Sequence, residues 1–137
     1  MAQLNPYLRF GGNCREAMTF YKDCLGGELA MQTVGESPMA EQMPDQKEQV
    51  FHALLRNGDP AIMGSDLVGP EGIIKGNTIA FALTCSSKDE LDALRAKLSE
   101  GGTIGHPITE EFFGTIGDFV DKFGFAWMLV LSNPDMM

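Results

Sequence analysis

Two histidines, an arginine in an otherwise apolar run and a scatter of acids are the residues here whose types can do chemistry. Arg9 lies in the run of residues 4–10. Alternation sets Asn5, Tyr7 and Arg9 on one side and Pro6, Leu8 and Phe10 on the other. A guanidinium on such a face fits a carboxylate, phosphate or phosphonate through a forked contact. The competing reading is a rim arginine paired with one of the 19 acidic residues, the usual fate of a charged side chain. His52 sits inside a strand-like run and has the chemistry of a general base or a ligand. A histidine so placed is more often a packed residue with a satisfied hydrogen bond. His106 precedes Pro107 and carries less signal. His52 together with Glu110 or Glu111 would rebuild a metal site, if the fold brought them together. Tyr7, Phe113 and Trp127 are the rings that could stack on a flat ligand, although the apolar neighbours Phe125 and Leu129 argue that Trp127 is core. Cys14 opens a helix and is expected to have a lowered thiol pKa there, with no base in view to make it a nucleophile.

These side chains need elements to position them. Gly11-Gly12 ends the first strand, and Asn13 with Glu16 has the spacing of a capping box. Ala17, Phe20, Tyr21, Cys24 and Leu25 form the stripe of the helix that follows, which Gly26-Gly27 stops. Residues 28–34 read as a strand, and 35–49 as a long, polar, mobile loop. Residues 50–64 read as a hairpin around Asn57-Gly58-Asp59, and 65–76 as a turn-rich linker. The pattern then restarts. Residues 77–84 are a strand with Ile79, Phe81 and Leu83 on one face and Thr78, Ala80 and Ala82 on the other. Ser87 caps a helix with the stripe Leu91, Leu94 and Leu98, and Gly101-Gly102 stop it. Residues 103–108 form a strand, and a second hairpin turns at residues 121–124. Alternation places Ile62 and Gly64, then Ala126, Met128 and Val130, on the same face as Arg9 and Ala80.

The chain is therefore expected to be one α+β domain of two βαβββ modules, about residues 4–66 and 77–132. Curved sheets would carry the helices outside and a ligand groove inside. With 44% apolar and 21% charged residues, 137 residues can build a core. A net charge of −9 disfavours nucleic acid and anionic membranes as partners. No apolar run approaches the length of a membrane span, and no signal-peptide pattern is seen. Three cysteines at irregular spacing fit reduced thiols rather than a disulfide framework, which points to the cytoplasm.

At this level the sequence resembles the vicinal oxygen chelate superfamily (glyoxalase I, extradiol dioxygenases, bleomycin- and fosfomycin-resistance proteins), and within it the PhnB-like branch. The matching pieces are Asn5-Pro6-Tyr7-Leu8 with Phe10; Glu16-Ala17 and Phe20-Tyr21-Lys22; Gly26-Gly27-Glu28-Leu29; His52-Ala53-Leu54; Met63-Gly64-Ser65-Asp66; and Phe113-Gly114 with Gly117, Asp121, Phe123-Gly124 and Trp127-Met128. The resemblance implies a homodimer and four metal-ligand positions, which fall on Asn5, Gly64, Thr78 and Met128. Those residues are a poor set for zinc, iron or manganese, so no metal and no other cofactor is expected. The methyltransferase label often given to this branch finds no Gly-rich nucleotide loop here. The expected function is a small-molecule-binding protein without the inherited metal site. Its ligand is expected near Asn5, Tyr7, Arg9, His52, Gly64, Thr78, Phe113 and Met128. The alternatives are a metal-dependent lyase or dioxygenase with displaced ligands, and a non-catalytic structural or regulatory dimer.

Overall fold

The structure is a computed structural model that describes residues 2–58, 61–112 and 114–132. The chain divides into two compact units, Met1–Ile74 and Lys75–Met137. Among the described residues each holds one α-helix and one four-stranded mixed sheet, and both sheets have the same strand order.

In the first unit the elements run β1 (Tyr7–Arg9), α1 (Cys14–Leu25), β2 (Glu28–Thr33), β3 (Val50–Arg56) and β4 (Ile62–Ser65). The sheet order is β1-β4-β3-β2, with β1 parallel to β4 and the other pairs antiparallel. The second unit repeats this with β5 (Ala80–Thr84), α2 (Lys88–Leu98), β6 (Thr103–Glu111), β7 (Gly114–Val120) and β8 (Ala126–Ser132). Its order is β5-β8-β7-β6, again with one parallel pair at the first strand. Both hairpins turn where expected: Gly58 and Gly124 take positive φ, +78° and +94°. The expected α+β fold with two βαβββ modules is the fold observed.

The core of the first unit lies under α1. Cys14, Ala17, Met18 and Tyr21 are fully buried, at the i, i+3, i+4, i+7 spacing of one helical face. The expected stripe was turned toward Phe20, Cys24 and Leu25; these are only half-buried. The cap also differs from expectation. Asn13 makes no side-chain cap bond. Asp66, in the stretch expected to be a linker, is 5% exposed and accepts the N–H groups of Gly12 (3.1 Å) and Cys14 (2.9 Å) through Oδ1. Its Oδ2 takes the Val50 N–H at 2.8 Å, so one carboxylate fixes the start of α1 and of β3. Residues 35–49 carry structure of their own. Short 3-10 turns occupy Val34–Glu36 and Pro44–Gln46, and bonds from Val34 N–H to Gln49 and from Gly35 N–H to Lys47 close the excursion.

In the second unit Leu91 and Leu98 of α2 are buried, as are Phe119, Trp127 and Leu129 of the sheet. Trp127 stacks on Phe119 and meets Phe81 at 4.7 Å between ring centroids. The Ser87 hydroxyl caps α2 by accepting the Glu90 N–H, while the Glu90 carboxylate reaches back to Ser86. β5 is shorter than expected. Its register with β8 begins at Ala80–Ala126, so residues 77–79 have no partner strand among the described residues and precede the strand.

Candidate functional site on the uncovered sheet faces

A strand presents alternate residues to opposite faces, and register tells which neighbours share each face. In the first sheet Leu8, Gly64, Ala53 and Leu29 lie toward α1. Tyr7, Met63, Leu54 and Ala30 form a row on the opposite face. Arg9 and His52 lie on that opposite face too, each two residues from the row.

Gly64, expected on the ligand face with Ile62, therefore belongs to the helix side. A Cβ there would meet Phe10 at 3.1 Å and the sulfurs of Cys14 and Met18 at 3.3 Å. Ile62 pairs with Leu55 and lies on the same side as Gly64. The reason is the parallel partner: Leu8 is buried, and Gly64 is opposite Leu8. The residues of β4 that share the face of Tyr7 and His52 are Met63 and Ser65 instead. Ser65 is itself buried, donating to the Phe51 carbonyl at 2.9 Å.

Tyr7 is 46% exposed, and its hydroxyl lies 3.3 Å from Nδ1 of His52. The two rings are tilted at 31°, with centroids 5.8 Å apart. Arg9 is exposed, and no described residue forms an ion pair with it. Asn5 is committed elsewhere: its Oδ1 accepts the Ala61 N–H at 2.9 Å and so pins the start of β4. The structure thus brings Tyr7 and His52 into contact on the face that carries Arg9, and gives Asn5 a backbone partner.

In the second sheet the uncovered face carries Ala80, Ala82 and Thr84 of β5, Ala126, Met128 and Val130 of β8, and Ile116 and Asp118 of β7. Met128 is exposed there. Trp127 points the other way and is 3% exposed, with its indole N–H on the buried Asp121 carboxylate at 2.8 Å. Thr78 is exposed and precedes the strand. Phe113 lies outside the described residues. A feature missed by sequence reasoning is the pair His106–Asp118. The Asp118 carboxylate accepts the His106 N–H at 2.6 Å and faces Nδ1 at 3.1 Å. Register breaks in β6 flank His106 on both sides. Desolvation raises the Asp118 pKa, but the His106 hydrogen bonds, with the charges of His106 and Arg95, outweigh it, so the carboxyl is held below its usual value.

The chemistry of Cys14 runs against expectation. Burial, and then the Asp66 carboxylate, push its thiol up to about 12, so the helix N-terminus does not make it a thiolate. Cys85 is also raised, by burial and then by Glu90.

The four inherited ligand positions do not suit a metal. Asn5 has given its oxygen to a backbone N–H, Gly64 faces the helix, Thr78 stands outside its strand, and Met128 offers a thioether. Zinc, iron and manganese prefer imidazole, thiolate or carboxylate. Among the described residues no three His, Cys, Asp or Glu side chains cluster so as to hold an ion.

Two βαβββ units with matching strand order, each with a helix on one face, define a glyoxalase-type fold. The chain belongs to the Glyoxalase/Bleomycin resistance protein/Dioxygenase superfamily, whose family model matches residues 3–129. It is 32% identical to the protein YjdN of Escherichia coli K12, over 92% of each chain. It is similar to the crystal structure of protein PA1353 from Pseudomonas aeruginosa, with 39% identity, a TM-score of 0.83, and coverage of 96% of this chain and 98% of that one. A PhnB protein from Bacillus cereus, described as a putative 3-demethylubiquinone-9 3-methyltransferase, matches at 24% identity and a TM-score of 0.76 over 96% and 100% of the two chains. At that identity the likeness is one of fold. No described helix is long and apolar enough to cross a membrane.

Proposed function

We propose that the chain is a small-molecule-binding protein that holds an anionic, flat or apolar ligand on the uncovered face of its first sheet, independently of the inherited metal positions. The observation that carries this reading is Arg9. It is an exposed guanidinium with no ion-pair partner among the described residues, two residues along β1 from the half-exposed Tyr7 ring. An unpaired arginine beside an aromatic surface suits a carboxylate or phosphonate attached to a ring. Met63 and Leu54 add half-buried apolar surface to the same face.

The reading extends to the assembly and its location. Superfamily membership supports a homodimer with a symmetric interface. Three free cysteines, two of them buried, suit the reducing cytoplasm. Sedimentation velocity tests the dimer.

The binding test is calorimetry or thermal shift with aromatic carboxylates and phosphonates. Wild-type protein is expected to gain melting temperature with at least one such class, and Arg9→Ala to lose the gain. If anions of both classes leave the melting temperature unchanged, the reading fails. Stoichiometric zinc, iron or manganese in protein purified without chelator would replace it with the metalloenzyme alternative.

A further inference from the structure

We infer that the ligand also carries an acidic hydroxyl and that His52 accepts its proton; this rests on the anion-binding reading above. Tyr7 and His52 come from strands that are not neighbours, since β4 lies between β1 and β3. Their side chains nevertheless meet, hydroxyl to Nδ1, at 3.3 Å. That contact occupies one ring nitrogen. Nε2 has no partner among the described residues.

A neutral imidazole has one donor and one acceptor nitrogen. When Nδ1 carries the hydrogen and donates to the Tyr7 oxygen, Nε2 holds the lone pair. The Tyr7 O–H is then free to donate outward. The couple presents an acceptor and a donor from two adjacent groups, the complement of a hydroxyl. A ligand O–H donates to Nε2 while its oxygen accepts from Tyr7. In the proton step the ligand O–H bond breaks and an N–H bond forms at Nε2. The electron pair stays on the ligand oxygen, leaving an oxyanion bonded to Tyr7 beside an imidazolium. No oxidant or further reactant enters.

Spacing selects the ligand's size. Arg9 and His52 are on strands two spacings apart, so their backbones are about 10 Å apart. With both side chains standing off the same face, that span is on the scale of one six-membered ring that carries an anionic group and a hydroxyl. The other charged groups on this face are Arg56 of β3 and its register partner Glu28 of β2. Gln32, opposite His52, is neutral, and its amide donates to the Glu36 carbonyl. On its own strand and on β2 no carboxylate is opposite His52, and the net charge nearest the ligand comes from Arg9.

The test compares benzoate with 3- and 4-hydroxybenzoate by calorimetry, and adds 4-hydroxy-3-nitrobenzoate, whose phenolate absorbs visible light. One hydroxybenzoate is expected to bind about tenfold more tightly than benzoate, the worth of one good hydrogen bond to a charged group. The nitrophenol, bound at a pH below its free pKa, is expected to show the phenolate band. His52→Gln should bind benzoate and the hydroxybenzoates with like affinity and lose the band. Tyr7→Phe should keep the band and shrink the advantage several-fold. Equal affinity for benzoate and both hydroxybenzoates overturns the inference while leaving anion binding intact. So does a phenolate band that survives in His52→Gln. Failure of all four acids to bind the wild type overturns the inference, and the anion-binding reading falls with it when aromatic phosphonates fail as well.

Discussion

The carboxylate of Asp66 accepts the backbone N–H of Cys14 at 2.9 Å, across 52 residues of chain. Gly12 and Val50 give their N–H groups to the same side chain. It supplies the cap that Asn13 does not, and it ties the first turn of α1 to the strand that carries His52. Asp66→Ala strands three donors in the interior and is expected to lower unfolding free energy by about 3 kcal/mol. Asp66→Asn, which keeps an acceptor oxygen, should lose less. Urea denaturation at neutral pH measures both. A loss below about 0.5 kcal/mol for the alanine variant would place the carboxylate among ordinary surface residues.

Cys14 should be silent toward thiol reagents in the folded protein. Its pKa is raised from 9.0 to about 12, first by burial and then by Asp66. The unfolded thiol ionises from about 9 upward while the folded one keeps its proton. Stability from this group is therefore whole below pH 9 and falls as the pH climbs toward 12. Cys14→Ser or Cys14→Ala should flatten that alkaline loss. A folded-state burst of reaction assigned to Cys14 by mass spectrometry at pH 8 would contradict the assignment. Asp66→Asn should leave the thiol slow, because burial is the larger cause.

The Asp118–His106 pair predicts the opposite pH dependence. The Asp118 carboxyl is held below its ordinary 3.8. Its contribution is present above that value and is lost as the pH falls through the lower, folded-state pKa. The Asp118 side chain is 45% exposed, so solvent limits the pair to less than about 1 kcal/mol. Asp118→Asn should remove a small part of the acid-limb slope in thermal melts between pH 2 and 5, roughly the range where a carboxylate titrates. A chemical-shift titration in which Asp118 follows an unperturbed carboxylate would refute it.

The sheets and helices were legible because their signals are local. Alternation around Phe81 and Leu83, the Leu91 to Leu98 stripe and the glycine stops each need only a few neighbours. The fold followed from finding that pattern twice. What was missed depends on distant partners. Nothing near Asn13 announces that Asp66 will take its place. The face of Gly64 is set by pairing with Leu8, and alternation counted from the wrong residue put it one step off. Asn77, Thr78 and Ile79 adjoin a strand but have no strand to pair with among the described residues. Asp66 and Asp121 both stand in the motif pieces that carried the family resemblance, and in the structure both are buried hydrogen-bond acceptors. The Tyr7–His52 contact was only half visible: each residue was singled out, and only the strand order β1-β4-β3 brings them together.

Gly64 should tolerate no side chain of size. Its missing Cβ leaves room for Phe10, Cys14 and Met18, all within 3.3 Å of where the atom would stand. Gly64→Val forces those three apart or moves β4 away from α1, and overpacking of this kind costs about 1–3 kcal/mol. Gly64→Ala should cost less, since the Met18 thioether can turn aside. Both are read from denaturant midpoints. A valine variant as stable as the wild type would mean that Gly64 does not face the helix.

Asp121 and Trp127 give the second unit its own reporter. Asp121 is 3% exposed; its Oδ1 accepts the N–H groups of Phe123 (2.9 Å) and Phe125 (3.0 Å), and its Oδ2 takes the indole N–H at 2.8 Å. One carboxylate thus shapes the β7–β8 turn and fixes the orientation of the ring. Trp127 is the sole tryptophan, so its emission reports this site alone. Asp121→Ala leaves the indole N–H and two backbone donors without their acceptor and should cost about 3 kcal/mol. Asp121→Asn keeps an oxygen for the turn but loses the charge, so its loss should be smaller. With the turn loosened, the ring meets water and its emission should move to longer wavelength even before unfolding. Trp127→Phe retains the apolar packing on Phe119 and Phe81 and gives up the indole bond. In that background Asp121→Ala should be less damaging than in the wild type, because one of its partners is already gone. Fully additive losses in this double-mutant cycle would show that the indole bond, although short, contributes nothing to stability.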